Sequence, residues 1–186
     1  MDILILGSTQ LTELCIDKIK KHYNLLGHVP TTKPTKEGKI NLPIVDINTK
    51  CDIKLSIQYD KKVEEVNDSF NLHTGLLPKY GGMDVLDHAI RNKEKEQGLT
   101  FHKMTRRFDH GPVISKITYP IFPEDSTIDL YRRLLGLGPD FLLQSLKLLE
   151  SFSKDQLSCL PYFYEKPTIY KRGEFSLSEE MKEHVI

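Results

Sequence analysis

The sequence lacks an excess of charge of either sign. Its 186 residues carry 26 Lys and Arg side chains and 26 Asp and Glu side chains, so the formal net charge is zero. Proteins that bind nucleic acid or an anionic membrane through a broad electrostatic field normally carry a basic excess. We therefore expect a locally built recognition site, and neither a nucleic acid nor a membrane as partner.

Cysteines and long apolar runs are scarce as well. Cys15, Cys51 and Cys159 are odd in number and widely spaced, which fits neither a disulfide framework nor a zinc site. No apolar run is long enough to span a membrane, and the start, MDILILGSTQ, is too short and too acidic for a signal peptide. These absences predict a cytoplasmic protein with reduced cysteines and no bound metal.

What is present is an alternation of strand and helix patterns. The buried run DILIL ends at Gly7, and Ser8 or Thr9 can cap the helix that follows. Further along, STIDLYRRLLGL and PDFLLQSLKLLESF predict two helices, the first capped by Ser126 and the second opened by Pro139. The pattern predicts an α/β fold with a mostly parallel central sheet flanked by helices. We expect one domain over residues 1–155 and a β-rich or extended arm over residues 156–186.

Three polar residues stand where predicted strands give way to loops. Asn71 and His73 in FNLHTGLLPKYGG share a face if the segment is extended, and Asp109 lies in RFDHGP. An Asn amide can donate to an oxyanion, a His can carry a proton, and an Asp can orient the imidazole. No G-x-S-x-G elbow marks a protein nucleophile. The alternative is structural, because Asn-x-His and Asp-His-Gly-Pro also suit turns and caps.

The ordered set of motifs resembles the folate-dependent formyltransferase family. Asn-x-His, a Leu-Leu-Pro loop closing on Gly, Gly-x-Thr-x-His and Asp-x-Gly-Pro follow one another between about Ser56 and Leu148, with a weaker likeness over MDILILGST. The resemblance implies a Rossmann-like fold and transfer of a formyl group from 10-formyltetrahydrofolate to an amine. It implies that Asn71, His73 and Asp109 form the catalytic trio, with Thr100 and His102 in support.

The resemblance also implies where the ligands bind. The pterin pocket would lie between residues 59–63 and 105–109, although Tyr59 fits core packing equally well. The implied donor-binding residues are Tyr59, Asp60, Val63, Thr105 and Arg106, and the implied acceptor-binding residues are Gly7, Ser8, Thr9, Lys79 and Tyr80.

The sequence departs from the family pattern in two places, and these bear on the acceptor. Gly81 stands where an Arg is usual, and the early position of Asn71 predicts an abbreviated N-terminal half. Glycinamide ribonucleotide is disfavoured because GSTQLTE is a poor phosphate cradle. Methionyl-tRNA is disfavoured because the family's tRNA enzymes carry a further C-terminal domain and basic surfaces. A nucleotide-linked amino sugar is the predicted acceptor, and a non-catalytic folate-binding relative is the alternative.

The aromatic arm, YFYEKPTIYKRGEF, leaves its own role open. Its Tyr and Phe rings could stack on a nucleotide base while its Lys and Arg side chains face a diphosphate. Alternatively, the arm covers a sheet edge or holds two copies of the chain together as a homodimer.

Overall fold

A six-stranded sheet with two long helices on one face organises the molecule. The computed structural model describes residues 1–32, 36–160 and 168–171. The elements are β1 (Asp2–Leu6), α1 (Gln10–Ile19), β2 (Asn24–Val29), β3 (Ile53–Ile57), β4 (Ser69–His73), β5 (Gly81–Gly82), α2 (Val85–Arg91), β6 (Glu96–Lys103), β7 (Val113–Pro120), α3 (Thr127–Glu150), α4 (Lys154–Ser158) and β8 (Ile169–Tyr170).

The sheet is parallel over its first four strands and antiparallel over the last two. The strand order is β2-β1-β3-β4-β6-β7, and β6 and β7 each run antiparallel to the preceding neighbour. The prediction of an α/β fold with a mostly parallel sheet is therefore confirmed. Among the described residues, β5 and β8 form a second sheet, in which they pair in parallel.

One face of the large sheet is covered by α1 and α3, and we call it the helix face. Alternate residues of each strand point to it, and the interior they form with the two helices is apolar. Thr9 begins α1 with a capping box, which confirms the predicted start of this helix. The strand residues on the helix face are Ile3, Ile5, Ile53, Leu55, Ile57, Phe70, Leu72, Leu99 and Phe101.

The prediction of two C-terminal helices is wrong, because α3 runs unbroken from Thr127 to Glu150 with Pro139 inside it. Ser126 caps its start, as predicted. Proline removes one backbone hydrogen bond and usually ends or kinks a helix. Here fully buried leucines recur at multiples of four residues on both sides of Pro139, so packing one continuous stripe against the sheet offsets that loss. They are Leu130, Leu134, Leu142 and Leu146.

The opposite face of the sheet, which we call the loop face, has no helix over it in the described part of the chain. The links from β2 to β3 and from β3 to β4 contain no regular helix there, in line with the predicted abbreviation of the N-terminal half. A small apolar cluster of Leu4, Leu6 and Val63 seals the β1 end of this face. At β3, β4 and β6 the loop face instead carries polar side chains, and these lead to the site.

Most of the predicted arm lies outside the described residues, which exclude 161–167 and 172–186. In the described part, α4 crosses the predicted domain boundary after residue 155, and β8 lies beside β5. The domain division stays a prediction. Within the described residues, the chain forms no helix of the length and apolarity that crossing a membrane requires.

Candidate active site

Strand register places polar residues side by side on the loop face. Ser56, Asn71 and His102 pair in turn across β3, β4 and β6, so they form one row, which the apolar Leu6 of β1 continues. His73 lies two residues beyond Asn71 on the same face. Asp109 reaches this row from the turn between β6 and β7. The predicted trio of Asn71, His73 and Asp109 is therefore brought together, at the end of β4 and beside the adjacent strand.

His73 is held from two sides. Its Nε2 donates to the carbonyl oxygen of Tyr80 at 2.6 Å, which places a proton on that nitrogen because a carbonyl can only accept. Its Nδ1 lies 3.6 Å from Oδ1 of Asp109. That distance is too long for a hydrogen bond, so the Asp109 carboxylate lies beside Nδ1 without taking it up. Nδ1 is therefore the nitrogen available for proton exchange.

Asn71 and His102 complete the contacts around the same carboxylate. The Nδ2 of Asn71 donates to Oδ1 of Asp109 at 3.3 Å and lies 3.2 Å from Nε2 of His102. His102 Nε2 is 3.4 Å from Oδ1 of Asp109, and its Nδ1 donates to the Lys103 carbonyl at 2.9 Å. These contacts hold His102 against the trio, as its predicted supporting place requires. The hydroxyl of Thr100 donates to the carbonyl oxygen of Gly75, two residues after His73, at 2.7 Å.

Asp109 is the centre of the cluster and is 8% exposed. Its backbone is in the left-handed region with φ of 52°, which Asp tolerates better than most residues. Burial alone would raise its pKa, but His73, His102 and the backbone N–H of Gly82, which donates to Oδ2 at 2.7 Å, hold the pKa of Asp109 well below its usual range. The carboxylate is thus ionised throughout the neutral range.

A cavity of about 640 Å³ opens in front of the trio. Asn71, His73 and Asp109 all line it, together with apolar side chains such as Met104 and Phe108. Every residue predicted to bind the donor lies on the lining: Tyr59, Asp60, Val63, Thr105 and Arg106. In the part of the chain that the structure describes, no three His, Cys, Asp or Glu side chains form a group that could hold a metal ion.

The predicted acceptor-binding residues divide into two groups. Thr9 lines the cavity, whereas Gly7, Ser8, Lys79 and Tyr80 are not among its described lining residues. Lys79 forms an ion pair with Glu94, and the hydroxyl of Tyr80 donates to the same carboxylate at 2.7 Å. The side chains of Lys79 and Tyr80 therefore serve the loop that carries them, and an acceptor-binding role for them stays a prediction without support from the cavity.

Two parts of the cavity were missed from the sequence: Ser56 and Gln58 line it from the end of β3, and Asp87 and Tyr131 line it from α2 and α3. The lining also includes β8 and Lys171, which belong to the arm for which a ligand-contacting role was one of the predicted alternatives. For Ser56 a signal existed, because Lys54 and Ser56 are polar residues that alternate with apolar ones in β3. The Gly82 amide had no comparable signal, since a backbone donor leaves no side-chain pattern.

The comparisons with known proteins agree with this geometry. A family model described as formyl transferase matches residues 60–146. The methionyl-tRNA formyltransferase of Dictyoglomus thermophilum is 29% identical over 184 residues, a match that covers 81% of this chain and 59% of the relative. The chain therefore spans less than two thirds of that relative's length.

Solved structures show the same fold. WlaRD, a sugar 3N-formyl transferase crystallised in the presence of dTDP and 5-N-formyl-THF, has a TM-score of 0.78 at 22% identity, with 95% of this chain and 71% of that chain covered. The N-formyltransferase of Helicobacter canadensis, in complex with folinic acid and dTDP-3-aminofucose, has a TM-score of 0.78 at 20% identity, with 94% and 72% covered. The motif set, the family match over residues 60–146 and the fold thus agree, and this part of the chain is similar to the formyl transferase family.

Proposed function

We propose that the protein is a folate-dependent N-formyltransferase that moves the formyl group of 10-formyltetrahydrofolate to the amino group of a nucleotide-linked amino sugar. The observation that carries the proposal is the convergence of Asn71, His73 and Asp109 on one cavity. A scaffold that only packs or caps has no need to bury an ionised carboxylate between two imidazoles and an amide.

The donor fits the wall between residues 59–63 and 104–108. Two solved structures with this fold are described with 5-N-formyl-THF and with folinic acid. The wall in this chain contains Tyr59, Val63, Met104 and Phe108. Apolar and aromatic side chains suit the faces of a pterin ring, and backbone groups suit its edges. Phe108 is 55% exposed, so its ring is open to a ligand.

The reaction joins the acceptor nitrogen to the formyl carbon and then breaks the bond from that carbon to N10 of the folate. The amine loses one proton and the leaving nitrogen gains one, so no oxidant or metal is needed. Asn71 Nδ2 would stabilise the oxyanion, because its present hydrogen bond to Asp109 is long and an entering oxygen can replace it. An N–H at Nδ1 of His73 would donate the second hydrogen bond to the oxyanion. The Asp109 carboxylate beside it would favour the positive charge on the imidazole ring.

The start of α1 supports a sugar acceptor over glycinamide ribonucleotide. A helix N-terminus binds phosphate through free N–H groups, but residues 36–39 lie across this one. The Gln10 N–H donates to the Lys36 carbonyl oxygen, and the Gly38 N–H donates to the Ser8 carbonyl oxygen, both at 2.9 Å. The Lys39 N–H donates to Oε2 of Glu13, also at 2.9 Å. Residues 36–39 therefore take up the Gln10 N–H and pack over this helix end, which disfavours phosphate binding there.

A second acceptor, methionyl-tRNA, is favoured by a different observation. The relative reported above that is most alike in sequence is a methionyl-tRNA formyltransferase. Against it stands the zero formal net charge, since tRNA binding depends on many cationic contacts with phosphate.

One assay separates these functions. The protein is mixed with 10-formyltetrahydrofolate and, separately, with nucleotide-linked amino sugars, glycinamide ribonucleotide and charged initiator tRNA, and each acceptor is weighed by mass spectrometry. We expect a single formyl gain on a nucleotide-linked amino sugar and none with His73→Ala. A formyl gain on the tRNA alone would show that methionyl-tRNA, and not an amino sugar, is the acceptor. Folate binding without transfer to any amine would favour the non-catalytic alternative.

A further inference from the structure

We propose that the short strand β8 is a positioning element of the active site, because it aims the Gly82 amide at Asp109. This inference rests on the proposed function for its catalytic consequence. The structural part rests on three hydrogen bonds that backbone N–H groups donate and on two glycines.

The hydrogen bonds alternate along residues 81–83. Gly81 N–H donates to the Thr168 carbonyl at 2.9 Å, and Met83 N–H donates to the Tyr170 carbonyl at 3.0 Å. In a parallel strand pair, the residues that donate an N–H to the neighbouring strand alternate with residues whose N–H points away from it. Gly82 N–H therefore points away from β8, and it meets Oδ2 of Asp109 at 2.7 Å. The pairing of Gly81 and Met83 with β8 thus turns the N–H of Gly82 toward the Asp109 carboxylate.

The two glycines let β8 approach this closely. A Cβ at Gly82 would lie 2.0 Å from the Tyr170 carbonyl oxygen, and Gly82 has φ of 86°, so no other residue suits the position. A Cβ at Gly81 would lie 2.6 Å from Cδ1 of Ile169 and 3.3 Å from Cβ of Asp109. The absence of a side chain at Gly81 therefore leaves the room that Ile169 occupies.

Tyr170 anchors the strand. Its ring stacks on Tyr80 with centroids 5.7 Å apart and on His88 with centroids 3.8 Å apart. Tyr80 also supplies the carbonyl that holds His73, at 2.6 Å. The stacking of Tyr170 on Tyr80 therefore steadies both the Gly82 N–H that contacts Asp109 and the Tyr80 carbonyl that contacts His73. Ile169, Tyr170 and Lys171 line the cavity as well, but the positioning role is separate from that wall.

The test compares three full-length variants in two measurements. Tyr170→Ala removes both ring contacts, Tyr170→Phe keeps them, and Phe122→Ala truncates an exposed aromatic outside the cavity as the matched control. Backbone hydrogen exchange at Gly82 is measured by NMR, and kcat is measured at saturating donor and acceptor. We expect Tyr170→Ala to speed Gly82 exchange at least about tenfold and to lower kcat roughly 10- to 100-fold, since small displacements in an active site have effects of this size.

Conservative rescue and a second pair of variants separate positioning from general loss of structure. Tyr170→Phe is expected to restore most of kcat, and Phe122→Ala to leave Gly82 exchange at the wild-type rate. If Tyr170→Ala unfolds, Gly81→Ala is used instead, and adding Ile169→Ala should recover much of kcat because it removes the Cδ1 atom that a Cβ at Gly81 would meet at 2.6 Å. Failure of that rescue with the fold intact overturns the proposal.

Two further results would also overturn it. One is slow Gly82 exchange after β8 is released, which would mean that Asp109 holds the amide alone. The other is fast Gly82 exchange with kcat unchanged and only KM raised, which would make β8 a wall and nothing more. If the wild-type chain formylates no acceptor, the proposed function fails, and the exchange measurement alone decides whether β8 aligns Gly82.

Discussion

The two faces of the sheet are built from the same strands but serve different ends. On the helix face, β1, β3, β4 and β6 present mostly aliphatic and aromatic side chains to α1 and α3. On the loop face, the same strands present Leu6, Ser56, Asn71 and His102 in one row. One residue of register separates the two sets, since strand side chains alternate.

The difference shows why the site lies where it does. A helix packed on the loop face would bury polar side chains that could not all find partners, and unpaired buried polar groups are costly. Loops leave room for a cavity of about 640 Å³ and bring backbone N–H and C=O groups to Asp109 and His73. Stability should therefore depend mainly on the helix face and turnover on the loop face.

The largest expected effect is loss of turnover from the loop face. We predict that His73→Ala lowers kcat for formyl transfer by about 10²–10⁴-fold, because it removes the group that carries the proton next to Asp109. The measurement is steady-state transfer with the acceptor found by the mass-spectrometric assay. His22→Ala, at an exposed His beyond the end of α1, is the control and should retain wild-type turnover. Wild-type kcat in His73→Ala would remove the basis of the mechanism.

The helix face should show the reverse behaviour. Leu142 of α3 is fully buried, so Leu142→Ala is predicted to lower the free energy of unfolding by about 2–5 kcal/mol. Turnover per folded molecule should stay near the wild-type value, since Leu142 is remote from Asp109 in the fold. Urea unfolding measures the first quantity. Leu148→Ala on the same helix, at a side chain that is 40% exposed, is the matched control and should change stability much less. A large drop in turnover without a drop in stability would contradict the division between faces.

This division also explains what could be predicted from the sequence. Alternation within FNLH places Asn71 and His73 on one face, and the motif order brings Asp109 to them, so the trio needs only local pattern and family likeness. The continuity of α3 through Pro139 could not be predicted in this way, because it depends on burial of leucines on both sides against the sheet. The β5–β8 pairing was equally out of reach, since it joins two pairs of residues almost 90 positions apart.

An effect of intermediate size is expected on the free energy of unfolding in acid. Because the folded-state pKa of Asp109 is depressed, its ionised form contributes stability above the ordinary Asp pKa of about 3.9, and that contribution is lost as the pH falls below this value. We predict that the free energy of unfolding falls more steeply with acid in the wild type than in Asp109→Asn. Urea unfolding from pH 7 to pH 3 measures both slopes.

The comparison of slopes removes the background from other groups. Hydrogen bonds from Lys79 and Tyr80 lower the pKa of Glu94, and Arg133 lowers that of Asp125, in both proteins alike. Asp109→Glu, which keeps the charge, is the second control. Parallel slopes in the wild type and Asp109→Asn would mean that the carboxylate is not stabilised by its neighbours in the folded state.

The smallest expected effect is on the outer side of the helix face, where Lys18 of α1 and Asp140 of α3 form an ion pair. Their side chains are 40% and 64% exposed, so water and salt screen the attraction. A double-mutant cycle of Lys18→Ala and Asp140→Ala should give a coupling of about 0.2–1 kcal/mol in low salt and close to zero in 1 M NaCl. A coupling well above 1 kcal/mol that persisted in salt would show that this pair, and not only the buried leucines beneath it, holds α1 against α3. The measured value thus decides how far the stability of the helix face comes from apolar burial alone.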